Sequence, residues 1–241
     1  MSILKKIIVF IVIFILTATF IFAAVQIVNY INYGKENEEI SNEIAEKIIC
    51  EEDKDEGEKN IDFASLKAMN SDTVGYLKVN GTSIASAVVQ SKDNDYYLYH
   101  NFKKNYNKGG WIFADYRNRF DGTDKNIVIY GHNMKNGSMF SSLKNILTKD
   151  WQETEENMYV TFITEHEVLT YKVFSVYQIE VEDYYTTTAF NNKTFQSFID
   201  KIKSRSEKDF NADVKVENQI LTLSTCADND KYRIVLHAVK L

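Results

Sequence analysis

The run from Ile7 to Val28, IIVFIVIFILTATFIFAAVQIV, carries no charged side chain. A chain inside a bilayer can satisfy its own backbone hydrogen bonds only as a helix or a closed barrel, so a run of this kind has little choice of structure. At 1.5 Å rise per residue it makes a helix of about 33 Å, enough to cross a hydrocarbon core of about 30 Å. A cleaved secretory leader is the competing reading. Its apolar part usually covers about 7–15 residues and ends at a small-residue site, whereas Ala23 and Ala24 follow bulky Ile21 and Phe22 here. The segment is therefore read as a retained single-pass anchor. Lys5 and Lys6 precede it, and Glu36, Glu38, Glu39 and Glu43 follow it. The positive-inside rule then leaves residues 1–6 in the cytoplasm and everything after 28 outside the cell.

The outer part has the means to build a packed core, since 44% of the 241 residues are hydrophobic and 13% aromatic. Its charge argues against a nucleic-acid partner: the chain's formal net charge is −6, and the only charges within residues 1–34 are two lysines, so the remainder is more acidic still. Residues 36–49 place Ile40, Ile44 and Ile48 at four-residue spacing, the mark of an amphipathic helix. An acidic stretch, 51–59, follows, and residues 29–61 are read together as a helical and acidic linker. A single domain is expected over 62–241.

Within that domain the pattern changes to short β-type runs. TVGYLKV and TSIASAVVQ flank Asn80-Gly81, a strong hairpin signal. GGWIFAD, NIVIYGH, MYVTFIT, EVLTYKVFSVYQIEV, QILTLSTC and RIVLHAVKL complete eight strand candidates. Several are joined without helices, which predicts a mainly β fold, an antiparallel barrel or sandwich rather than a parallel α/β sheet. One helix is expected between two late strands, over 191–210, with Phe195, Phe198, Ile199 and Ile202 on its packed face.

The chemistry centres on Cys226. In ILTLSTC the alternation of a strand sets Thr222, Ser224 and Cys226 on one face and Leu221, Leu223 and Thr225 on the other, so the thiol keeps company with hydroxyls. That placement favours a reactive cysteine over a buried apolar one. A disulfide to Cys50, the only other cysteine, is opposed by the charge-dense surroundings of Cys50, a poor place to staple a strand. A cysteine nucleophile needs a proton partner and a donor for the oxyanion. His132 closes an apolar strand where a loop begins; His100, His166 and His237 read as surface or core residues. Arg233, one of four arginines, follows Cys226 by seven residues across a short loop. It stays charged and offers several fixed donors.

The N-terminal anchor, YGHNM, the pentad TLSTC and the arginine in KYRIVLHAVKL together resemble the sortases, membrane-anchored cysteine transpeptidases of Gram-positive cell surfaces. DTVGYLKVNGTSIASAVVQ and DNDYYLYHNF are similar to their early strands. The helix at 191–210 and the N-terminal helices resemble the class B branch. The resemblance implies an eight-stranded barrel. It implies attack by Cys226 on the threonine carbonyl of a C-terminal sorting motif in a secreted protein, giving a thioester that a peptidoglycan amine resolves, with no metal or nucleotide cofactor. His132 is then the proton carrier and Arg233 the oxyanion or substrate donor. By the same resemblance Asn94, Leu98, Tyr130, Tyr185, Ser224 and Thr225 line the motif's groove. Two other readings are a tethered, non-catalytic binding domain and an L,D-transpeptidase, although that family's usual glycine-cysteine-x-arginine cluster is not matched around Cys226.

Overall fold

The computed structural model describes residues 2–48, 61–226 and 231–241. Cys50, the acidic stretch 51–59 and the loop 227–230 lie outside the described residues, and so does the question of a Cys50–Cys226 bridge. Helix α1 (Ile3–Ile48) runs 46 residues without a break, so the expected span and the expected amphipathic helix are one element. Its apolar first part is exposed, with Phe14 and Leu16 about two-thirds so. Further on, Asn37, Ile40, Ile44 and Ile48 form a buried stripe at three- and four-residue spacing. That stripe packs on the barrel and on α2 (Phe63–Met69), which Asp62 caps by accepting from the backbone N–H of Ser65 at 3.0 Å.

Eight strands close a barrel in the order β1-β2-β3-β4-β7-β8-β6-β5. They are β1 (Thr73–Val79), β2 (Ala85–Val89), β3 (Phe113–Ala114), β4 (Asn126–Gly131), β5 (Tyr159–Ile163), β6 (Val168–Glu180), β7 (Ile220–Cys226) and β8 (Tyr232–Lys240). The eight candidates are all present, but the sheet is not purely antiparallel. β2 pairs with β3, and β4 with β7, in parallel. The long connections in between, 90–112 and 132–219, return the chain to the same end of the barrel. GGWIFAD shrinks to two strand residues because Trp111 and Ile112 turn into the core before the pairing begins. A third helix, α3 (Lys149–Glu153), precedes β5.

Two apolar cores result. Leu77, Ala87, Ile129, Leu223 and Leu236 fill the barrel. Outside it, α4 (Asn192–Ser204) lays Phe195, Phe198, Ile199 and Ile202 on Phe174, Val235 and Val239. Fully burying side chains of this size is worth about 1.5–3 kcal/mol each. The helix is shorter than 191–210 because Asn191 starts it with a capping box to Thr194, and its last buried contact is Ile202. β8 therefore reads as a continuous apolar run, being covered on both faces.

Candidate active site

The ends of β4, β7 and β8 converge on one cleft of about 480 Å³. Cys226 is the last residue of β7, and its direct cross-strand partner on β8 is Arg233. In an antiparallel pair the Cα atoms of directly opposed residues lie about 4.5–5.5 Å apart. On the other side, β4 and β7 run parallel with Gly131 beside Thr225. His132 and Cys226 each follow that pair by one residue, on chains that run about 4.8 Å apart where they pair. The backbone alone thus brings the three predicted residues to one corner, where His132 and Arg233 both line the cleft.

His132 is half-buried, and its Nε2–H donates to the carbonyl of Leu98 at 3.0 Å. Leu98 closes a single 3₁₀ turn, Tyr96–Leu98, behind which Gly110 packs against both Leu98 O and His132. Gly110 is in turn gripped from α1: the buried Asn37 donates to Gly110 O at 3.0 Å and accepts from Asn107 at 3.1 Å. The Arg233 guanidinium donates to the carbonyl of Tyr232 at 3.1 Å.

The six groove residues expected from the resemblance also line this cleft. Asn94 donates to Asp115 at 3.0 Å and accepts from the Tyr116 N–H at 3.0 Å. Tyr130 donates to Asp115 at 2.8 Å. Tyr185, in the 3₁₀ turn Tyr184–Thr186, meets the Ser224 hydroxyl at 3.2 Å, and Thr225 is buried beside it. On β7, Thr222 and Ser224 meet polar partners, Asn126 and His237 for the first and Tyr185 for the second. Neither is open to solvent: Thr222 and Ser224 are as buried as the leucines, under α4 and the Tyr184–Thr186 turn. Of the other histidines, His166 is exposed in the β5–β6 turn, His100 stacks on Tyr96 at 4.0 Å, and His237 is fully buried.

Sequence reasoning missed Asp115 and Arg117. Asp115 is fully buried behind the cleft lining and takes Arg117 Nε and Nη2 at 2.8 and 2.7 Å, besides Tyr130 and Asn94. Burial works against its charge, but the bonds from Arg117, Tyr130 and Asn94 prevail and hold its carboxyl below the usual range. Arg117 reaches on to the carbonyl of Thr186 at 2.9 Å, joining two lining residues of the cleft. Only the aspartate-arginine pair at i, i+2 in ADYRNRF could have drawn attention to them. Among the described residues no cluster of His, Cys, Asp and Glu is gathered as a metal site.

The family model described as the sortase domain matches residues 77–241, more than half of the chain. The chain belongs to the sortase family. The sortase B of Listeria monocytogenes serovar 1/2a (strain ATCC BAA-679 / EGD-e) is 40% identical over 185 residues, covering 75% of this chain and 74% of the relative. The sortase B of Bacillus anthracis, solved in complex with AAEK1, is 33% identical with a TM-score of 0.76, over 88% of this chain and 99% of that one. A Staphylococcus aureus sortase B-substrate complex is 33% identical with a TM-score of 0.69, over 74% and 84%. These relatives set this sortase in class B, and the closed eight-stranded barrel with its added helices agrees. Sortases are cysteine transpeptidases acting on sorting motifs, so the binding-domain and L,D-transpeptidase readings fall away. They work at the cell surface, and α1 is long and apolar enough to cross a membrane.

Proposed function

We propose that this class B sortase cleaves a C-terminal sorting motif of secreted proteins after threonine, and transfers the acyl group to a peptidoglycan amine through a thioester on Cys226. The observation that carries the reading is the strand register: Cys226 of β7 pairs with Arg233 of β8, and Cys226 and His132 each follow the Gly131–Thr225 pair by one residue. The Cys226 thiolate attacks the threonine carbonyl, forming a C–S bond, and Arg233 steadies the oxyanion. The C–N bond then breaks, and the leaving amine takes its proton from the His132 imidazolium. The incoming amine attacks the thioester, gives its proton to His132, and expels the thiolate. Because Nε2–H is held by Leu98 O, Nδ1 is the nitrogen that exchanges these protons.

Asn94, Leu98, Tyr130, Tyr185, Ser224 and Thr225 are the proposed groove contacts, supported by their shared cleft and by the existence of a related sortase-substrate complex. Residues 7–28 form the membrane anchor, with the N-terminus cytoplasmic and the catalytic domain, 62–241, outside. The test is turnover of fluorogenic peptides of the asparagine-proline-x-threonine type with triglycine as acceptor, together with the mass of the trapped adduct. An acyl mass on the peptide bearing Cys226, and its loss in Cys226→Ala, are expected; undiminished turnover by Cys226→Ala refutes the reading. Arg233→Lys is expected to lose about 10²–10³-fold in kcat/KM, since a point charge cannot reproduce the guanidinium's spread of donors.

A further inference from the structure

His237, in the middle of β8, takes no part in acyl transfer, yet it is fully buried against the rings of Phe174, Tyr177 and Phe198. Burial pushes its pKa down to about 3, so the ring is neutral and has a single N–H. Its nitrogens meet two hydroxyls, Thr222 at Nδ1 and Tyr177 at Nε2, each at 2.8 Å.

Counting donors orients the whole chain. Asn126 Nδ2 donates to the carbonyls of Tyr185 at 3.2 Å and Thr187 at 2.9 Å. Turning this amide over would set its oxygen against those two carbonyl oxygens, so Oδ1 is the atom that meets Thr222, at 2.7 Å. Thr222 must spend its one proton there. Its oxygen then accepts from His237, which places the ring proton on Nδ1. The bare Nε2 accepts from Tyr177, and the Tyr177 oxygen accepts from Tyr184 at 2.9 Å. Tyr184 itself is held under Lys201 and Arg205, 3.8 and 4.3 Å from its ring centre.

The chain therefore runs one way, from the Tyr184 hydroxyl through Tyr177, His237, Thr222 and Asn126 to the backbone of Tyr185 and Thr187. It begins and ends in the same turn. Tyr185 and Thr186 of that turn line the cleft opposite Asn94 and Leu98, while Ser224 and Thr225 of the cysteine-bearing strand line its floor. We propose that Thr222 and His237 are positioning residues for substrate selection: through this one-way chain they set the distance between the Tyr184–Thr187 wall and β7, and thereby which side chains of a sorting motif the groove accepts. The inference rests on the reading of the cleft as the motif's groove. It also accounts for the threonine four residues before Cys226, which touches no reacting atom.

The test uses the full-length chain in detergent micelles, with a series of peptides differing at the residue before the motif's threonine. Thr222→Val keeps the shape and removes the hydroxyl. It is expected to raise KM about tenfold, the factor one buried hydrogen bond controls, and to flatten the preference among peptides. kcat and the rate of Cys226 modification by a small methanethiosulfonate reagent should stay within about twofold, because the chain leads away from the reacting groups. Thr222→Ser keeps the hydroxyl and should restore the native KM. If Thr222→Val does not fold, Tyr177→Phe breaks the same chain two links away and should give the same split. A purely structural role would lower the melting temperature with KM and peptide preference unchanged, and that result overturns the inference. Tyr185→Ala separates the two claims. If it raises KM while Thr222→Val and Tyr177→Phe do not, the positioning inference alone fails; if Tyr185→Ala leaves KM unchanged too, the cleft is not the groove and both fail.

Discussion

Replacing Gly110 by alanine tests how the histidine is held. Gly110 has φ +55°, where an L-residue costs about 1–2 kcal/mol. A Cβ there would also lie 2.4 Å from Tyr97 O, 2.9 Å from Leu98 O and 3.0 Å from His132 Cδ2. Neither carbonyl can step aside cheaply: Tyr97 O accepts from the Trp111 N–H at 2.9 Å, and Leu98 O accepts from His132. Overpacking of this kind adds about 1–3 kcal/mol. The sum is about 2–5 kcal/mol, and at about 2–4 °C per kcal/mol for a chain of this size the melting temperature should fall by roughly 4–20 °C. Gly122→Ala is the matched control, because Gly122 has φ +81° but open space where its Cβ would stand, leaving only the backbone cost. Thermal melts followed by circular dichroism compare the two. At a temperature where both variants remain folded, peptide turnover by Gly110→Ala should also drop about a hundredfold, the scale of a catalytic group displaced by an ångström. Equal melting temperatures for the two variants would refute the collision. A low-melting Gly110→Ala with native turnover would show that Leu98 O does not hold His132 in place.

Two further expectations follow from the same geometry. Asp115 has a folded-state pKa held below its unfolded value, so the stability it contributes is present above pH about 4 and is lost as pH falls through the lower, native value. The stability gap between the native chain and Asp115→Asn, measured by denaturant melts, should therefore be widest near neutrality and shrink in acid; a gap that is constant with pH would contradict the pairing. Asn37→Leu removes the donor to Gly110 O from a fully buried site, which should cost about 1–3 kcal/mol and reduce kcat through the same turn that Gly110 occupies. Native stability and kcat in that variant would sever the link between α1 and the histidine.

Much of the fold was legible because its signals are local. The lengths and alternation of the eight apolar runs located the strands, and the spacing of Phe195, Phe198, Ile199 and Ile202 located α4. Closure was less accessible. Alternation says which face of a strand is buried and nothing about its neighbour, so the parallel pairing of β4 with β7 was not read, although it is this pairing that brings Gly131, the residue before His132, against Thr225, the residue before Cys226. His237 was read as a bland core or surface residue for a similar reason: its partners, Tyr177 and Thr222, are sixty and fifteen residues away in the chain. Asp115 and Arg117 were missed because the weight of their pairing comes from the burial of Asp115, which the chain order does not display.

From the chain alone came the membrane-length helix, the set of strands, and the nomination of Cys226, His132 and Arg233, since each depends on residue type and on spacing within a few positions. Folding decided that the span and the amphipathic helix are one continuous α1, that Asn37 on it braces the turn behind His132, and that buried hydrogen bonds join the Tyr184–Thr187 wall of the cleft to β7. Those arrangements depend on burial and on hydrogen-bond geometry between residues as many as ninety-six positions apart, quantities that exist only once the barrel has closed.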